Sequence, residues 1–297
     1  MSIFLSIASF LDPTLTRTIR SAMDNADNPE SLVFGLGLQY WEEPDLSEFP
    51  ESQIRKLSWK PDDRPGIVKI RYEISRLLED EDYFLEIDSH MRFSPGWDTD
   101  LVSKIQEMQQ QLGTYKVVIF PLGVYPDGAM TSRFVLDLQE SPDGSVTINS
   151  LPENGKAMPA KDTEIISYMR VGQIFFDARF IREVGLDPRS HYIQEQAYLG
   201  FRAFMTGWTV YQYHKDLMNH DDADYVAAVD QEEAKTWGTQ EEIPNSEEDM
   251  TLAYIYNCGP YALPNAERTP MEYWSFNGCL EEFVNAKKIL DELGHAC

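Results

Sequence analysis

The stretch EDYFLEIDSHMRFSPGWD, residues Glu81–Asp98, is where the fold can be read. Tyr83–Ile87 is a short, mostly apolar run of the kind that is buried on both faces in a parallel sheet. It stops abruptly at Asp88-Ser89-His90. In open α/β sheets ligands bind at the carboxyl ends of the strands. In extended chain, residues i and i+2 point to the same side, so Asp88 and His90 can reach one ion. A carboxylate with an imidazole suits a divalent metal such as Mn2+. Taken alone, Asp-x-His is more often structural than metal-binding; its place at a strand end is what raises the metal reading.

Working outward, Ile3–Ala8 is a first buried strand. Asp12 and Pro13 then supply an N-cap and a proline at the first helical position, so a helix is expected to run to about Ala26. Leu32–Gln39 is a second strand. Glu42–Pro65, polar and with four prolines, reads as a long loop. Ile67–Leu78 carries Ile67, Ile70, Ile74 and Leu77 at helical spacing. Asp98–Leu112 is a helix that Asp98 caps, and Lys116–Phe120 is another strand. Strands alternating with helices predict an α/β fold with a mostly parallel sheet flanked by helices. From Thr131 to Ser150 the pattern becomes short alternating runs around Pro142-Asp143-Gly144, which predicts a smaller antiparallel hairpin. Gly172–Val184, Tyr192–Phe204 and Trp208–Tyr211 return to mixed strand and helix. Asp221–Glu248 is an acidic lobe. A capping box at Ser246–Asp249 and an amphipathic helix from Cys279 to Leu293 predict a C-terminal helical elaboration.

The chain has 297 residues and a formal net charge of −25, from 25 Lys and Arg against 50 Asp and Glu. Hydrophobic residues at 42% allow a large core. The acidic balance disfavours duplex nucleic acid, which needs clustered cations to displace counterions. A nucleoside diphosphate remains compatible, because a bound metal supplies the local positive charge. Cys258, Cys279 and Cys297 form no C-x-x-C pair, and an odd count is a poor disulfide framework, which points to a reducing compartment. The N-terminus lacks the basic region of a signal peptide, and no stretch is long enough to span a membrane. A cytoplasmic protein is expected.

Several stretches together carry a family resemblance. Glu81–Asp98 is similar to the donor-site segment of the polypeptide-hydroxyproline N-acetylglucosaminyltransferase family, with its D-S-H metal motif followed by M-R-F and G-W-D. SIASFLDP (Ser6–Pro13) resembles that family's SIASYRDP, and RPGIVKIRY (Arg64–Tyr72) its Ala-Arg helix start. EQAYLGFRAFMTGW (Glu195–Trp208) and RTPMEYWSFNG (Arg268–Gly278) resemble two further segments. The match runs from about residue 3 to residue 278, nearly the whole chain.

The resemblance implies a GT-A-like, Rossmann-like fold and one glycosyltransferase domain over 1–297, with residues 1–125 as the nucleotide-sugar half and 126–297 as the acceptor half. It implies that Asp88 and His90 bind Mn2+ or Mg2+ bridging the diphosphate of a UDP-sugar, with Ser89 beside the donor. A third metal ligand is implied about thirteen residues past Gly207, which lands on His220, with His214 as the competitor. Ala8 and Ser9 would meet nucleobase and ribose, and Arg71 the donor. Glu195 would take a proton from the acceptor hydroxyl or orient it. The second Glu of the family's pair is Gln196 here, and the Arg of SYRDP is Leu11.

Each of these residues also has a plainer reading. Arg71 as a surface ion-pair partner, Glu195 as a dipole-favoured helix acid and Trp97 and Trp208 as core are all ordinary roles. Arg17 and Arg20 fit an exposed helix face, Arg92 a brace for the strand end, His191 a turn and His295 a solvated terminus. The expected function is a metal-dependent, retaining glycosyltransferase that moves a sugar, GlcNAc foremost, from a UDP-sugar to a hydroxyl acceptor. A polypeptide acceptor is preferred over a glycan or a hydroxylated nucleobase. The rivals are a metal-dependent hydrolase and a UDP-binding module with a degraded site.

Overall fold

The computed structural model describes residues 1–121, 133–140, 146–153, 163–167, 169, 172–190, 192–221, 223–228 and 246–295. In chain order the first elements are β1 (Ile3–Phe10), α1 (Leu15–Asp24), β2 (Leu32–Gln39), β3 (Ile54–Trp59), α2 (Ile67–Ser75), β4 (Tyr83–Asp88), β5 (Met91–Phe93), α3 (Trp97–Leu112) and β6 (Val117–Pro121). Next come β7 (Arg133–Glu140), β8 (Val146–Glu153), β9 (Thr163–Ile166), β10 (Gln173–Asp177), α4 (Arg179–Glu183), α5 (Tyr192–Met205), β11 (Thr209–Tyr213), β12 (Met218–His220) and α6 (Ala223–Ala228). The helices α7 (Ser246–Tyr256), α8 (Pro270–Phe276) and α9 (Leu280–Glu292) follow.

Eight strands form one sheet in the order β3-β2-β1-β4-β10-β6-β11-β9. β3, β2, β1 and β4 pair in parallel, β10 runs antiparallel between β4 and β6, and β9 is an antiparallel edge on β11. The central runs are mostly apolar because both faces of the sheet are covered. Leu5, Ile7, Leu85 and Ile87 pack on α1 and α3. Phe4, Phe84, Val118 and Phe176 pack on α2 and α5. Each such fully buried side chain contributes roughly 1.5–3 kcal/mol. α2 approaches β2 closely at Gly37, where a Cβ would lie 2.4 Å from Ile70 Cγ2. The outer face of α5 (Ala197, Phe201) forms a third cluster with α7, α8 and α9, including Tyr273 and Trp274. The C-terminal helices are thereby tied to the sheet.

Four local expectations change. Residues 54–59, within the expected loop, are the edge strand β3, whose exposed Lys56 and Ser58 hid its periodicity; charge is what protects an edge from further pairing. α1 starts at Leu15 with Thr14 as N-cap, and Asp12 stands outside the helix with its carboxylate on the Thr14 N–H and hydroxyl. α3 starts behind Gly96, and Asp98 accepts the backbone N–H of Asp27 and Asn28 at 2.8 and 2.9 Å, pinning the loop after α1. Cys258 is disulfide-bonded, while Cys279 is free and buried; bridging depends on spatial proximity, which cysteine spacing does not report. His295 keeps the solvent access expected of it, with 34% of its side chain exposed, and faces Glu248 at 3.6 Å.

The hairpin strands β7 and β8 pair as expected, from Arg133 opposite Glu153 to Glu140 opposite Val146. The turn at Pro142–Gly144, His191, the Ser246 side chain and most of the acidic lobe 221–248 lie outside the described residues. Among the described residues no helix is long and apolar enough to cross a membrane.

Candidate metal centre

β4 ends at Asp88, and the chain turns through Ser89 and His90 into the short strand β5. β12 lies antiparallel to β5, with His220 opposite Met91, and the Asp221 N–H donates to the His90 carbonyl at 2.8 Å. This two-stranded clip carries His220 to the end of β4. His90 Nε2 and His220 Nε2 lie 2.9 Å apart, and His220 Nε2 is 3.5 Å from Asp88 Oδ2. One ligand atom from each of Asp88, His90 and His220 fits within 4.8 Å of the other two. The Asp88 and His220 side chains keep 32% and 26% exposure, so a ligand can reach them. His214, just after β11, is not part of this group. The Tyr225 ring of α6 stacks on His90 at 5.0 Å.

Beneath the three lies Asp12. Leu11 takes a φ of 48° at the end of β1, a costly conformation for a branched side chain, and Asp12 is buried just after it. Its Oδ1 accepts the N–H and hydroxyl of Thr14, at 2.8 and 2.7 Å. Its Oδ2 accepts the Ser89 hydroxyl at 2.5 Å and faces His90 Nδ1 at 2.9 Å. Burial pushes this carboxyl up, but the bonds from His90, Ser89 and Thr14 outweigh it and hold it below the usual range.

Beside Asp88 is a buried charge network. The guanidinium of Arg71, on α2, is 3.0 Å from Glu86, 2.7 Å from Glu195 and 3.6 Å from Asp88. One cation cannot offset three carboxylates in a dry setting. Burial, opposed by Arg71 and reinforced by Glu195 and Asp88, pushes the Glu86 carboxyl up to about 8. Burial also raises Glu195. Burial acts on Asp88 too, but the His220 bond and the Arg71 charge win and its carboxyl is held low. Gly172, at a φ of 105°, leaves room for the Asp88 carboxylate: a Cβ there would lie 2.5 Å from Oδ2.

The residues singled out in the sequence fall in different places. Ala8 sits opposite Asp88 in the sheet register. Ser9 is buried, its hydroxyl 2.5 Å from that of Tyr40, so it faces the protein interior. Ser89 turns its hydroxyl to Asp12. Glu195 is 4% exposed at the start of α5, with Oε2 on Arg71 and Oε1 without a hydrogen bond among the described residues. Arg92 pairs with Asp221, Arg17 with Asp221 and Asp224, and Arg20 with Glu48. Trp97 and Trp208 are core. Sequence reasoning missed the site roles of Asp12, Glu86 and Gly172. Glu86 had a signal, an acid inside an otherwise apolar buried run.

Three comparisons bear on this arrangement. The model of the family described as glycosyltransferase (GlcNAc) matches residues 39–246. Among solved structures, GalNAc-T7 with UDP, GalNAc and Mn2+ aligns at a TM-score of 0.50 and 15% identity, over 98% of this chain and 57% of that one. S. aureus TarS aligns at 0.53 and 14%, over 96% of this chain and 43% of that one. A shorter TarS structure, residues 1–349, aligns at 0.51 and 12%, over 96% and 71%. The chain thus spans about half the length of the first two structures. These likenesses show the GT-A fold. No curated protein matches the chain.

Proposed function

The chain belongs to the glycosyltransferase (GlcNAc) family, and from that premise we propose that it is a metal-dependent, retaining transferase that moves GlcNAc from a UDP-sugar to a hydroxyl of a polypeptide. The observation that carries this reading is the convergence of Asp88, His90 and His220 at the end of β4. One carboxylate and two imidazoles form a donor set suited to Mn2+. Bound there, the ion would neutralise charge developing on the departing UDP. Of the similar structures, GalNAc-T7 is described with UDP and Mn2+, which agrees with this donor class.

The other residues have positioning roles. Arg71 holds the Asp88 carboxylate, and Glu195 holds Arg71. A hydroxyl must come within hydrogen-bond distance to be either oriented or deprotonated, so the burial of Glu195 favours its hold on Arg71 over direct contact with the acceptor. Ala8, opposite Asp88, places the end of β1 beside the donor. Residues 1–297 act as one catalytic domain. The acidic surface favours a neutral or basic polypeptide over a polyanion.

The test is a screen of nucleotide sugars with Mn2+ and a hydroxyproline- or Ser/Thr-containing peptide, following UDP release. Acceptor-dependent release with UDP-GlcNAc is expected. Release indifferent to any acceptor would indicate a hydrolase, and metal-enhanced UDP binding without turnover a binding module. Calorimetry showing no metal-enhanced UDP binding would rule out the proposal.

A further inference from the structure

Asp12 has no direct approach to the ligand side of the centre: its side chain is fully buried, 0% exposed, behind His90. We infer that Asp12 is a positioning residue that fixes His90 as the tautomer protonated on Nδ1, so that the Nε2 lone pair faces Asp88 and His220. The inference rests on the metal reading above, and concerns which nitrogen of His90 is free to bind.

The argument is one of donors and acceptors. A carboxylate only accepts, and a neutral imidazole has one donor and one acceptor nitrogen. Oδ1 of Asp12 is committed to Thr14, whose backbone N–H cannot turn away. Oδ2 is shared by the Ser89 hydroxyl and His90 Nδ1. A lone pair on Nδ1 would face a carboxylate oxygen 2.9 Å away with no hydrogen between them. The proton therefore sits on Nδ1, and Nε2 is left as the acceptor. That nitrogen is the one 2.9 Å from His220 Nε2. Metal-ligating histidines commonly donate their second N–H to a carboxylate, which sets ring orientation and raises ligand basicity. Here the carboxylate comes from the end of β1, 78 residues before the histidine it orients. The strained turn at Leu11 lies immediately before it.

Asp12→Asn tests this with almost no change of shape. The fixed Thr14 N–H requires the amide oxygen, so the NH2 group must face Ser89 and His90. The serine hydroxyl can rotate, and His90 must then accept through Nδ1 and carry its proton on Nε2. In metal-free, 15N-histidine-labelled protein, long-range proton–nitrogen NMR should show His90 protonated on Nδ1 in the wild type and on Nε2 in Asp12→Asn. Calorimetry with Mn2+ should show affinity about 10–100-fold lower in Asp12→Asn. Thr14→Val, which removes a donor from the same carboxylate but leaves the His90 contact, should keep the wild-type tautomer.

An Nε2-protonated His90 in the wild type overturns the inference even if Asp12→Asn does not fold. The same tautomer in both proteins, or equal Mn2+ affinity, also overturns it. If the wild type binds no Mn2+, the metal reading fails instead, and the tautomer measurement, made without metal, decides the role of Asp12 by itself.

Discussion

The Nε2 atoms of His90 and His220 lie 2.9 Å apart although 130 positions separate the residues in the chain. The pairing of β5 with β12 creates this contact, since Met91 faces His220 and the Asp221 N–H reaches the His90 carbonyl. His214 precedes β12 and stays outside the group. Replacing His220 by Ala should lower Mn2+ affinity at least tenfold, whereas His214→Ala should leave it unchanged. Both variants should keep their unfolding free energy within about 1 kcal/mol of wild type, as partly exposed sites do. Equal loss of affinity in the two variants would dissolve the distinction.

Gly172 presses its backbone against Asp88. Alanine there adds a Cβ 2.5 Å from Asp88 Oδ2 at a φ of 105°. The strain should cost about 1–3 kcal/mol, and the displaced carboxylate should weaken Mn2+ binding. Gly113→Ala, also at positive φ but facing open space, should lose stability alone. Unaltered Mn2+ affinity in Gly172→Ala would show that Asp88 is not held by this contact.

Arg71 is the cation among three carboxylates, Glu86, Asp88 and Glu195. Arg71→Met should cost about 3–5 kcal/mol at pH 7, because uncompensated charge is left buried. Glu86 and Glu195 are already raised by burial, and the loss of the guanidinium raises them further. An acid whose folded pKa exceeds its unfolded one loses stability as pH rises between the two values. The deficit of Arg71→Met should therefore shrink on going from pH 7 to pH 5 in urea titrations. A variant as stable as wild type at pH 7 would exclude the network as a structural element.

Asp187 anchors the segment between α4 and α5. It faces Arg189 at 2.5 Å and Arg202 at 3.6 Å. Burial raises its carboxyl, but the Arg189 bonds prevail and hold it below the usual range. A depressed folded pKa gives stability that is present above the unfolded value of about 3.9 and lost as pH falls through the folded one. Asp187→Asn should be less stable by about 1–3 kcal/mol at pH 6, with the gap closing below pH 4. A gap independent of pH would assign the effect to packing.

Much of the sheet was legible because its central strands are buried on both faces. Leu32–Gln39 is a strand over its full expected length, and the runs Ile3–Ala8 and Tyr83–Ile87 fall within β1 and β4. β3 was not legible, since an edge strand carries charge where a central one carries apolar side chains. The sequence pattern makes Asp98 and Asp12 helix caps, the ordinary local use of an aspartate. Each bonds groups distant in the chain, Asp27 and Asn28 in one case and Ser89 and His90 in the other, and Asp12 keeps a local tie to Thr14 as well. Local spacing cannot distinguish a carboxylate that caps its own helix from one that is recruited elsewhere.

The sequence by itself determined which central runs enter the sheet and that Asp88 and His90 lie where such a run ends, because a doubly buried strand needs an unbroken apolar stretch and its interruption is written in the chain. Only the tertiary structure decided that His220 joins them, that Arg71 lies between Glu86 and Glu195, and that Asp12 sits behind His90. Those contacts depend on strand register and on which helix covers which face. They are settled when the whole core packs, and they leave no periodic trace in the chain.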